Sequence, residues 1–81
     1  MGKFEKVRAK VMSSRADANI AFDDLCGMLL RMGFQRRIHG GHHVFVHENV
    51  PELINLQPVG KQAKKYQVKQ VRELLLIHFE K

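Results

Sequence analysis

At Gly33 the hydrophobic period of the chain switches. Before it, Phe22, Leu25, Cys26, Leu29 and Met32 recur at helical spacing, with Asp23 and Asp24 in the first turn, where a helix dipole favours carboxylates. Gly33 supplies the left-handed stop, and Phe34 folds back on the last turn as in a Schellman cap. After it, Gln35–His39 and His42–His47 are two short extended runs separated by Gly40-Gly41. Glycine reaches the positive φ that tight hairpin turns need, so this stretch reads as a hairpin. A helix running into an antiparallel hairpin excludes all-helical folds and parallel α/β folds.

The flanks fit the same scheme. Residues 3–13 place Phe4, Val7 and Val11 on one helical stripe, with Lys3, Lys6, Arg8 and Lys10 mostly around it as a wet face. Ser13-Ser14 and Asp17-Ala18-Asn19 read as a break. Beyond the hairpin, Asn49-Val50-Pro51 reads as a turn and Leu53–Leu56 as a third strand ended by Pro58. Residues 59–65 read as a loop, and a last amphipathic helix begins at Tyr66, with Val68, Val71, Leu75 and Phe79 marking it. The expected class is α+β: an α-β-β-β-α core with a three-stranded antiparallel sheet and an extra N-terminal helix. The expected organisation is a basic helix and linker over 1–17 and the α-β-β-β-α unit over 18–81, together one compact domain. That order is the one found in double-stranded-RNA-binding domains, an analogy of fold alone.

Composition narrows the functional classes. Fourteen Lys and Arg against eight Asp and Glu leave a formal charge of +6 in 81 residues, which points to an anionic partner. One cysteine, Cys26, excludes an internal disulfide framework and reads as core with no cation beside it to activate the thiol. The longest aliphatic run, Leu74–Ile77, is far short of a membrane span, and no signal peptide is evident. A cytoplasmic protein without membrane contact is the expectation.

Four of the five histidines, His39, His42, His43 and His47, fall within nine positions. Imidazole exchanges protons near neutral pH, so the cluster has three readings: acid–base catalysis, a metal site, or polar residues at a hairpin mouth. A metal site fits poorly, because His43 and His47 on one strand face stand more than about 10 Å apart. Acid–base chemistry fits better, since Gly40 and Gly41 leave His42 unshielded and let a phosphate approach the backbone. Arg36 and Arg37 on the first strand and Lys61, Lys64 and Lys65 on the later loop are the candidate phosphate contacts. Such a group can deprotonate a ribose 2′-hydroxyl while the cations stabilise phosphate charge. No metal or other cofactor is expected. Tyr66 reads mainly as a packing residue at the helix start, with base stacking as its other reading, and His78 reads as structural.

Several segments together resemble one family. Gly40-Gly41-His42-His43-Val44-Phe45 is similar to the Gly-Ser-His segment that opens the second strand of HicA-type toxins. Leu29–Phe34 resembles the helix end before their first strand. Pro51–Pro58, Gly60–Lys64 and Tyr66–Val71 resemble the return strand, basic loop and final helix of one branch. The resemblance implies a toxin of a toxin–antitoxin pair, an mRNA interferase on a double-stranded-RNA-binding-like fold, held inactive in a hetero-oligomer with a HicB-type antitoxin. It places the catalytic histidine on His42, with Gly40, Gly41 and His43 beside it, and single-stranded mRNA as substrate. Two departures stand out. Gly41 replaces the usual Ser, and Pro58-Val59-Gly60 stands where many members carry Pro-x-His, so a second phosphate contact falls to lysines such as Lys61 or Lys64. Outside the resemblance, a non-catalytic RNA-binding module and a basic protein-interaction domain are the alternative functions.

Overall fold

A computed structural model describes residues 2–79. The chain runs through α1 (Lys3–Ser13), a 3₁₀ turn (Asp17–Asn19), α2 (Phe22–Arg31), β1 (Gln35–His39), β2 (His42–His47), β3 (Val50–Leu56), a two-residue pair β4 (Pro58–Val59) and β5 (Gln62–Ala63), and α3 (Lys65–His78). The sheet is antiparallel in the order β1-β2-β3. This is the expected α+β arrangement, with the extra helix in front.

The switch at Gly33 is built as its residues suggest. Gly33 takes φ +97°. Its amide donates to Leu30 O, and that of Phe34 to Leu29 O, each across 3.1 Å, which is the hydrogen-bond pattern of a Schellman cap. Phe34 is thereby turned into the core, and β1 leaves in the opposite direction. At the hairpin tip Gly40 has φ +60° and Gly41 does not share the positive φ, the sign pattern of a type II′ turn.

Alternation then divides the sheet into two faces. The register pairs Arg36 with Phe45 and Phe45 with Ile54; this face, with Leu56, lies under the helices. Phe45, Ile54 and Leu56 are fully buried there with Val11 of α1, Leu25 and Leu29 of α2, and Val68, Val71 and Leu75 of α3. The opposite face pairs Arg37 with Val44 and Val44 with Asn55. Arg37 and Asn55 are exposed and Val44 is half-buried there.

Two boundaries differ from the sequence reading. The turn after β2 is Glu48-Asn49, and β3 already begins at Val50, with Pro51 inside it. Proline is tolerated because β3 is an edge strand, whose missing amide breaks no ladder bond. The irregularity in pairing between Phe45 and His47 accommodates the extra residues. The 59–65 stretch is also not a plain loop. Gly60, at φ +60°, folds Pro58–Ala63 into a small hairpin, and Lys65 already belongs to α3. Phe22 N–H donates to Lys61 O and Ala63 N–H to Ile20 O, both 2.9 Å, tying that hairpin to the start of α2.

Candidate nucleic-acid interface

His42 opens β2 immediately after the glycine turn, and alternation places it on the open face with Arg37, Val44 and Asn55. Its ring is exposed, and Nδ1 lies 3.2 Å from Asn55 Oδ1 on β3. An amide oxygen only accepts, so Nδ1 is the donor in this contact, and in the neutral ring the lone pair falls to Nε2. His39 is the cross-strand partner of His42 and shares this face.

A second set of polar groups adjoins the turn. The Gln57 side chain sits so that a Cβ on Gly41 would lie 3.8 Å from its Nε2. Gln57 Oε1 accepts from Lys64 Nζ at 3.3 Å, and the Gln57 backbone N–H donates to Oε1 of the buried Gln67 side chain at 3.0 Å. Lys64 Nζ stands 5.9 Å from the centroid of the Tyr66 ring. Asn55 and Gln57 were not singled out by sequence. The signal available for Asn55 was the two-residue alternation of the third strand, which aims its side chain at the face of His42; Gln57 follows the last residue of that strand.

The remaining candidates divide between faces. Arg37 stays on the open side and Lys65 is exposed at the start of α3. Arg36 turns to the helix side, where its guanidinium acts on the Cys26 thiol. The expectation that Cys26 has no cationic neighbour is therefore corrected. Burial nonetheless dominates and pushes that thiol up, with Arg36 lowering it by less. His43 faces the core side, edge-on to Phe22 at 4.9 Å between centroids. Its buried Nδ1 has no hydrogen-bond partner among the described residues. Lys61 shares a groove with His43, Phe22 and Asp24 near the start of α2, on the helix side of the sheet.

The other histidines are bound into the fold. His47 packs between Phe34 and Phe79, at 4.9 and 5.2 Å between centroids, and its Nδ1 accepts from Asn49 N–H at 3.0 Å. His78 Nε2 pairs with Glu52 Oε1 at 3.0 Å, linking α3 to β3. Tyr66 contradicts the packing role expected of it, being 64% exposed.

No helix among the described residues is long and apolar enough to cross a membrane. No curated protein and no solved structure matches the chain. Residues 22–77, from the first residue of α2 to the last residue but one of α3, match the family described as HicA toxin of bacterial toxin-antitoxin. That span holds the Schellman turn, the three-stranded sheet, His42 with Asn55, and the Gln57–Lys64 pair, and leaves only α1 and the 3₁₀ turn outside. On that match the chain belongs to the HicA toxin family.

Proposed function

We propose that this toxin is an endoribonuclease that cuts single-stranded mRNA in the cytoplasm without a metal ion, with His42 as the base. The observation that carries the reading is the setting of one imidazole: exposed, held at Nδ1 by Asn55 3.2 Å away, with Nε2 open beside a glycine turn. Nε2 takes the 2′-hydroxyl proton, and the 2′-oxygen forms a bond to the adjacent phosphorus. The bond from phosphorus to the 5′-oxygen breaks, and that oxygen takes up a proton from water. The products are a 2′,3′-cyclic phosphate and a 5′-hydroxyl end.

Lys64, Lys65 and Arg37 stabilise the charge on the phosphate oxygens, while Gly40 and Gly41 let the backbone approach. Arg36, His43 and Lys61 lie toward the helix side and are left out of this contact set. A HicB-type antitoxin is the protein partner that family membership implies, and an acidic surface on it would complement the charge of +6.

Incubating the purified chain with a long RNA in EDTA tests the reading. Scission is expected, and His42→Ala should slow it by about 10²–10⁴-fold, the usual share of general acid–base catalysis. RNA retained but uncut by the wild-type protein would instead indicate a binding module.

A further inference from the structure

We propose that Tyr66 is the platform on which a nucleobase flanking the scissile phosphate stacks; this rests on the ribonuclease reading above and names how the same site grips its substrate. The chain has six aromatic residues, five Phe and one Tyr. Phe22, Phe34 and Phe45 are buried, and Phe4 and Phe79 pack against the core. Tyr66 alone keeps its ring outside, at 64% exposure. Its neighbours Gln67 and Val68 point inward and are buried, so the first turn of α3 packs on the body while the ring of Tyr66 stands away from it.

The ring is also next to the proposed chemistry. Lys64 Nζ lies 5.9 Å from its centroid and 3.3 Å from Gln57 Oε1. The Gln57 amide nitrogen in turn lies 3.8 Å from where a Cβ on Gly41 would be, one residue before His42. Contacts thus connect the aromatic ring, through the Lys64 ammonium and Gln57, to the turn that precedes the imidazole. A single strand needs that combination: a π surface for a base, a cation for the phosphate next to it, and a base for the 2′-hydroxyl. Every nucleobase has a π face, so Tyr66 adds affinity with little sequence preference. The Lys64 ammonium is loosely placed over the ring and can turn to the phosphate when a base covers Tyr66.

The chain contains one Tyr and no Trp, so its intrinsic emission reports on Tyr66. In the His42→Ala variant, expected to cut RNA far more slowly, a short RNA strand should quench that emission as it binds. The same strand with abasic riboses should bind, by anisotropy of a labelled copy, without the quench. In the active protein, Tyr66→Ser should raise KM on the order of tenfold with kcat kept, and Tyr66→Phe should restore KM. Binding seen by anisotropy with emission unchanged, or an equal quench by the abasic strand, overturns the platform and leaves the ribonuclease reading standing. Absence of RNA binding by anisotropy overturns the ribonuclease reading, and the platform with it.

Discussion

Two adjacent histidines on β2 meet different surroundings because alternation sends His42 to the open face and His43 under Phe22. On the proposed reading, the amide of Asn55, 3.2 Å from His42 Nδ1, is a positioning group for ring orientation and tautomer. Asn55→Ala should therefore lower kcat on the order of tenfold or more while leaving KM and thermal midpoint near wild type; a change confined to KM would contradict the role. The two glycines of the turn are not equivalent. Gly40 takes φ +60°, so Gly40→Ser should cost about 1–2 kcal/mol in urea unfolding. At Gly41 a Cβ meets only ordinary contact, 3.8 Å from Gln57, so Gly41→Ser should change stability by less than about 0.5 kcal/mol. Equal losses at both positions would refute the turn geometry. Cys26 gives a pH dependence. Burial raises its thiol above the ordinary 9.0, so on raising the pH the unfolded chain sheds this proton first. Its contribution to stability is complete below the ordinary value and is lost as pH rises through the native one. The urea midpoint of wild type should fall toward that of Cys26→Ala as the pH rises above the ordinary value of 9.0; a constant gap would contradict the sign.

At the scale of elements, the C-cap of α2 and the docking of α3 hold the sheet in place. Gly33 has φ +97° and an added Cβ would come within 3.2 Å of His47 Nε2. Gly33→Ala should accordingly destabilise by about 1–2 kcal/mol or more. Arg72 of α3 donates to both carboxylate oxygens of Asp17, at 2.8 and 3.2 Å, and to Val11 O at 3.1 Å. With side-chain exposures of only 12% and 21%, the pair joins α3 to both the 3₁₀ turn and the end of α1. Much of this architecture was legible. The switch of period at Gly33, the glycine hairpin and the apolar stripes depend on residues close in sequence, so local pattern identifies them. The hairpin over 58–63 was hidden because its two short strands depend on hydrogen bonds to residues 20–22, some 40 positions away. The start of β3 was hidden because Val50-Pro51 looks like a turn unless the strand is known to be at an edge. The polar partners of His42 were obscured for a related reason: the register between β2 and β3 brings Asn55 to the ring, and one residue of slip would remove it.

Across the whole molecule, the sheet separates labour between a helix-covered face that supplies stability and an open face that carries His42, Asn55 and Arg37, with Lys64 at the start of α3 linked to it through Gln57. The radius of gyration, 11.6 Å, is what about 80 residues in one domain should give, roughly 12 Å. Helix α1, outside the family match, is thus packed into the same body through Val7 and Val11. On the proposed ribonuclease reading, net charge alone would spread RNA affinity over all the lysines, whereas the two-faced arrangement would concentrate it. Lys64→Ala should therefore reduce the slope of log K against log salt by about 0.7 for single-stranded RNA, and Lys61→Ala should leave it unaltered. Equal effects would show that the fold does not separate them. The most direct test of the central claim is the chemistry of the cut ends, read by mass spectrometry on an RNA incubated in EDTA. A ribose hydroxyl activated by His42 yields 2′,3′-cyclic phosphate and 5′-hydroxyl termini, and the cut disappears when the nucleotide on its 5′ side is made 2′-deoxy. Termini bearing 5′-phosphate and 3′-hydroxyl, or cleavage that persists at the deoxy position, would contradict the account.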